Sequence, residues 1–286
     1  MPEAGATRIA LGVEYDGATL HGWQSQADGN TVQDILQAAL SRVADERISV
    51  TAAGRTDAGV HALNQVVHFD TRVERPLNAW VRGTNAHLPP PVAVRWAQPV
   101  GGEFHARFSA RARHYAYLLL NHPVRPALLH GRVGWHHAPL HAGTMQRALD
   151  HLLGEHDFSS FRAAECQAKS PVKTLHRARV RRCGEFLLFE FSAGGFLHHM
   201  VRNIVGAAIY VGDGRLPPEA MRDLLEARDR LRAPPTFAAA GLHFIGADYD
   251  PAWRLPVDGR IMAPFPFGND EHGADAHQDL RPDPAP

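Results

Sequence analysis

Residues 53–69 read AGRTDAGVHALNQVVHF. The first half gathers Gly54, Arg55, Thr56, Asp57 and Gly59, and the second half turns apolar. A glycine-flanked loop carrying one carboxylate thus sits directly ahead of a strand, NQVVHF at 64–69. On its other side ISVTAA, 48–53, alternates Ile48, Val50 and Ala52, which predicts a strand entering the loop. An aspartate in such a place most often bonds the backbone of its own turn. A reactive carboxylate is the sharper alternative, and Arg55, two residues earlier, does not decide between them.

Outward from the loop, TRIALGVEY (7–15) sets Ile9, Leu11, Val13 and Tyr15 on one face of a strand. TVQDILQAALSRV (31–43) has its apolar residues at helical spacing, with Thr31 and Asp34 resembling a capping box. A helix near 78–86 and the strand VAVRW (92–96) follow, and LPPPV (88–92) forces an extended link between them. Further on, RHYAYLLL (113–120) reads as a strand and 142–153 as a helix. LHRARVRR and FLLFEFSA read as a hairpin turning at Cys183–Glu185. FLHHMVRNIVGAAIYV (196–211) and PPEAMRDLLEAR (217–228) read as helices, the first with an apolar stripe through Met200, Ile204 and Ala208. Strands and helices mix irregularly rather than as strict βαβ repeats, so the fold class is α+β. Two similar halves are expected, 1–105 and 106–257. The Pro-, Gly-, Asp- and His-rich stretch 258–286 is expected to be disordered.

The composition, 44% hydrophobic and 21% charged, suits a soluble globular protein. No run has the apolar length of a membrane span, and the start has no signal-peptide core. Cys166 and Cys183 form neither a disulfide framework nor a zinc motif, so the cytoplasm is the default compartment. The formal net charge of zero averages over unlike parts. Residues 266–286 hold five acids against Arg281, which leaves 29 basic side chains against 25 acidic ones elsewhere. The basic ones cluster. Residues 169–182 carry Lys169, Lys173, Arg177, Arg179, Arg181 and Arg182 with no acid, and 105–115 carry Arg107, Arg111 and Arg113 with none. These patches are what a polyanion would meet.

Arg202 lies in the otherwise apolar 196–211 helix. A solvated helix face is the plain reading. A buried guanidinium is the other, and it would need a carboxylate with good hydrogen bonds, for which Asp57 is a candidate. Tyr115 and Tyr117 alternate on their strand as half-buried packing residues do. Beside Arg107, Arg111 and Arg113 they also suit stacking on exposed bases. The nineteen histidines include the pairs His136-His137 and His198-His199, but no metal-binding spacing, so no metal is expected. P-loop, dinucleotide-binding and nucleophile-elbow motifs are absent.

Several stretches together resemble the tRNA pseudouridine synthase A family: EYDG (14–17), GWQSQ (22–26), TVQDILQAAL, AGRTDAGVHALNQVVHF, FHARFSARARHYAY, HDFSSFRA (156–163) and FLHHMVRNIVG. They occur in the expected order over most of residues 8–245. The resemblance implies two pseudo-symmetric α+β halves with mixed and antiparallel sheets around a central basic cleft. It implies a homodimer that binds tRNA across both subunits, needs no cofactor, and isomerises uridines 38, 39 and 40 of the anticodon stem-loop. It makes Asp57 the essential aspartate and Arg55 the arginine that displaces or holds the target base. Tyr115 becomes the stacking tyrosine that accepts or relays a proton, and Arg202 the partner of the aspartate. Gly241-Leu242 matches the site-lining part, behind a proline-rich approach. Ser25 stands where the family usually has an arginine.

One carboxylate suits this chemistry, as nucleophile at C1′ or C6 of the nucleotide or as base toward the C2′ proton, and the sequence does not choose among them. Glycoside hydrolysis would want two carboxylates flanking the bond. A non-catalytic tRNA-binding protein or tRNA folding helper on the same fold would share the basic patches. Asp57 separates the readings, because a pure binder gains nothing from a carboxylate facing phosphates.

Overall fold

The computed structural model describes residues 5–256, so the acidic stretch 258–286 lies outside the described residues. In chain order the elements are β1 (Thr7–Tyr15), α1 (Val32–Ala44), β2 (Thr51–Ala52), β3 (His61–Thr71), β4 (Val92–Val100), β5 (Ala112–Asn121), β6 (Gly134–His136), α2 (Ala142–Asp150), β7 (Gly154–Asp157), β8 (Val172–Cys183), β9 (Phe186–Ala193), α3 (Met200–Gly212), α4 (Ala220–Ala227) and β10 (Leu242–Asp248). A π-helical turn, Ala79–Gly83, occupies the middle of the helix expected near 78–86.

The strands form one mixed sheet in the order β4-β1-β3-β10-β5-β9-β8-β7, with β2 on β3 and β6 on β5. Neighbours are antiparallel except at two places, β5–β6 and β3–β10. The β3–β10 join is short, with His61 opposite His243 and Ala62 opposite Phe244. Two antiparallel blocks therefore meet at the start of β3, the strand that follows the Asp57 loop.

Apolar burial explains the blocks. One core gathers Leu11, Val13, Leu36, Leu40, Val67 and Phe69 between α1 and the β4-β1-β3 block. The other gathers Leu149, Phe189, Phe191, Ile204, Ala208 and Leu225 between α2, α3, α4 and the β5-β9-β8 block. Phe244 of β10 joins the first core and Val60, just before β3, joins the second, so each block borrows from the other. Truncating a fully buried residue such as Ile204 to Ala costs about 2–5 kcal/mol.

Some elements differ from the sequence reading. The 48–53 strand shrinks to Thr51–Ala52. β3 begins at His61, three residues earlier than its apolar run, because pairing continues up to the loop. β1 is buried on both faces rather than one: Arg8 to Val13 are buried without alternation. The 196–211 helix starts only at Met200, because His199 adopts a left-handed conformation (φ 61°) and ends helical winding toward the N-terminus. The α1 cap is as expected: Thr31 accepts from the Asp34 amide and donates to its carboxylate at 2.6 Å. The hairpin turns at Gly184-Glu185, with Gly184 at φ 57°.

Candidate active site

The Asp57 loop is held from three sides. Gln65, buried in β3, accepts from the Gly54 amide at 3.3 Å and donates to the Gly54 carbonyl at 2.7 Å. The buried Tyr15 hydroxyl lies 2.8 Å from Thr56 Oγ1, and burial pushes its pKa up to about 12. The Trp23 amide donates to the Thr56 carbonyl at 3.0 Å. Two glycines make this possible. Gly59 turns the chain at φ 77°. Gly17 lies so close to the loop that a Cβ there would sit 2.0 Å from the Val60 carbonyl oxygen.

The carboxylate of Asp57 does not cap its own turn. Its Oδ2 accepts from Arg202 Nη1 at 3.0 Å and lies 3.3 Å from His199 Nε2, and its Oδ1 lies 3.1 Å from His198 Nε2. Arg202 is 16% exposed and Asp57 21%. The guanidinium is also fixed from behind, because Nε donates to the Phe237 carbonyl at 2.9 Å. A half-buried pair with an oriented fork resists displacement better than a surface pair does. Burial lowers the pKa of His199, against the opposing pull of Asp57.

Helical spacing over 196–211 places both histidines within one continuous helix and does not make them partners of Asp57. The left-handed turn at His199 instead brings both imidazoles to the carboxylate, with ring centroids 4.0 Å apart. A polar pair at the mouth of an apolar helix, just after Gly194-Gly195, is the signal that sequence offered.

Tyr115 projects from β5 opposite Phe244 of β10. Its ring meets Phe196 and Phe244 edge-on, at 5.1 and 5.2 Å. Burial, followed by the fields of Tyr15 and Asp57, raises its pKa, so the phenol keeps its proton at neutral pH. Arg55 is exposed and makes no ion pair or hydrogen bond among the described residues, so its side chain is free to reach a ligand. Leu242 is buried opposite Tyr117, in the same core as Val60. Ser25 donates to Asp34 Oδ1 at 2.5 Å and so ties its loop to the start of α1.

The basic residues divide by their surroundings. Arg107, Lys169 and Arg179 are exposed. Arg111 is exposed but paired with Asp250. Lys173 donates to the Ser170 and Val172 carbonyls, both at 2.9 Å. Arg177 and Arg181 lie 3.2 and 3.5 Å from Glu190, an acid of β9 that the acid-free sequence window around them did not include. Arg113 differs most from a phosphate-binding side chain. Its guanidinium donates to the carbonyls of Ala53, Arg107, Ala110 and Gly194, and burial lowers its pKa. It ties the Asp57 loop, the 105–111 loop and the 194–199 turn into one wall.

A carboxylate on a clamped loop, an arginine on a facing helix and a tyrosine packed against both cores gather in one place. The sequence profile of the family described as tRNA pseudouridine synthase matches residues 12–109 and 148–250, and the chain belongs to that family. Among its relatives, tRNA pseudouridine synthase A of Dechloromonas aromatica is 61% identical over 249 residues, covering 87% of this chain and 95% of the relative. The same-named protein of Chromobacterium violaceum is 61% identical over 250 residues, with the same two coverages. No helix among the described residues is long and apolar enough to cross a membrane.

Proposed function

We propose that this chain isomerises uridine to pseudouridine in tRNA, at positions 38, 39 and 40 of the anticodon stem-loop, with Asp57 as its one essential carboxylate. The observation that carries the reading is the convergence of Arg202, His198 and His199 on Asp57, in a chain 61% identical to proteins named tRNA pseudouridine synthase A. In the reaction the C1′–N1 bond breaks, the uracil turns, C5 bonds to C1′, and the C5 proton leaves while N1 gains one. Nothing is oxidised or reduced, so no cofactor is required.

Asp57 supplies the carboxylate that engages the nucleotide, and Arg202 orients it. The target base leaves the RNA stack to reach it, at a cost of a few kcal/mol. Stacking on Tyr115, the free Arg55 side chain, and phosphate contacts by exposed residues such as Arg107, Lys169 and Arg179 offset that cost. Leu242 belongs to the apolar wall behind the base. The halves 1–105 and 106–257 flank the cleft, and the protein acts as a cytoplasmic homodimer binding tRNA across both subunits. A non-catalytic tRNA-binding or tRNA-folding role gains nothing from a carboxylate that Arg202 orients beside Tyr115.

Mapping pseudouridine in tRNA from cells with and without this protein tests the reading. The modification at positions 38 to 40 should vanish in its absence. Its persistence there would overturn the proposal.

A further inference from the structure

The atoms that face Asp57 form a second kind of site as well. Asp57 Oδ1 lies 3.1 Å from His198 Nε2, Asp57 Oδ2 lies 3.3 Å from His199 Nε2, and one ligand atom from each of the three residues falls within 4.8 Å of the others. A tetrahedral ion bound at about 2.0–2.2 Å separates its ligand atoms by about 3.3–3.6 Å. The 3.1 Å between Oδ1 and His198 Nε2 is near that edge, and the remaining ligand pairs lie within 4.8 Å, so the three side chains must draw together to close on an ion. Two imidazoles and a carboxylate form a ligand set for Zn²⁺, Co²⁺ or Ni²⁺, whereas Mg²⁺ and Ca²⁺ prefer oxygen shells. The side chains of His198, His199 and Asp57 are 40, 27 and 21% exposed, so an ion in solvent can reach them.

Arg202 sets a limit. Its guanidinium is 3.0 Å from Asp57 Oδ2 and repels a dication, so Oδ1 is the oxygen left for the metal. The outcome is reversible binding, not a structural centre. The sequence could not reveal the site, because Asp57 stands far along the chain from the histidine pair.

We propose that Asp57, His198 and His199 bind a divalent transition ion of the Zn²⁺ class, and that the bound ion inhibits the enzyme by occupying the carboxylate. The inhibition rests on the function proposed above, but the binding does not.

The test uses the full chain and Zn²⁺ or Co²⁺ alone. Calorimetry should show an ion bound with a Kd in the micromolar range, and Co²⁺ should give the intense visible absorption of a tetrahedral site. Because the chain has nineteen histidines, variants define the site. His198→Gln, His199→Gln and Asp57→Asn, each first checked by circular dichroism for a native spectrum, should each weaken that binding about tenfold or more and abolish the Co²⁺ band. Zn²⁺ at the same concentration should stop tRNA turnover by the wild type, and EDTA should restore it. Binding and absorption unchanged in all three variants would overturn the site. Binding that is lost in the variants, with wild-type turnover indifferent to Zn²⁺, would uphold the site and overturn the inhibition, while the reactive role of Asp57 is tested separately by the turnover of Asp57→Asn.

Discussion

Arg202 donates through Nη1 to Asp57 Oδ2 at 3.0 Å, joining two residues 145 positions apart in the chain. The contact links the α3 helix of one sheet block to the loop that opens β3 of the other. Arg202→Lys keeps a charge but loses the fork that also binds the Phe237 carbonyl. Turnover should fall about 100-fold with little change in KM, as for loss of an oriented group at the reacting centre. Steady-state kinetics on tRNA check this, and an unchanged kcat would mean the pairing is structural only.

Tyr115→Phe keeps the edge-on contacts with Phe196 and Phe244 and removes only the hydroxyl. If that hydroxyl relays the proton leaving C5, turnover should drop about 100-fold while tRNA affinity holds. Full activity in the variant would remove Tyr115 from the proton path and leave it as a stacking surface.

Arg113 spends its donors on four backbone carbonyls, which predicts a positioning role instead of a phosphate contact. Arg113→Lys should lower the melting temperature and kcat, and leave the salt dependence of tRNA binding as it was. A phosphate contact behaves the other way: the melting temperature holds and the salt slope falls by about 0.7–0.9.

Buried histidines on and beside β3 carry a titration signature. His243 stacks on His61 at 4.7 Å, and burial, followed by the charge of His61, pushes its pKa down to about 3. Burial, with Arg8 and His105 nearby, pushes His68 down to about 4. Both are neutral when folded and take up a proton near the ordinary histidine value when unfolded. The unfolded chain therefore binds more protons below about pH 6.5, so this stability is full above that pH and is lost as the pH falls toward the folded values. Melting temperature should decline from about pH 7 to pH 5, and His243→Gln should make the decline shallower. An identical slope in the variant would contradict this assignment.

Much of the architecture could be read from residue spacing. Alternation in 7–15 and 113–120 and the helical stripe of 32–43 place β1, β5 and α1. β6, β7 and β10 give no strand signal in the sequence. β6 and β7 are only three and four residues long, and β10 is interrupted by Gly246 and a register shift. For the site, the loop around Asp57 and the chemical types of Arg202 and Tyr115 were legible. That His198 and His199 also face Asp57 was not, because it depends on one left-handed residue that helical periodicity hides. Nor could a run of arginines show that Arg113 is turned inward or that Glu190 of a neighbouring strand meets Arg177.

The central claim is that the Asp57 carboxylate reacts. Asp57→Asn replaces one oxygen by nitrogen at nearly constant shape, so the loop clamped by Gln65, Tyr15 and Trp23 should stay in place. The decisive measurement is tritium release from tRNA carrying 5-tritiated uridine, with tRNA binding measured in parallel. The account predicts that the variant binds tRNA within several-fold of wild type and releases no tritium above background. Sustained release by a variant of verified sequence would contradict it.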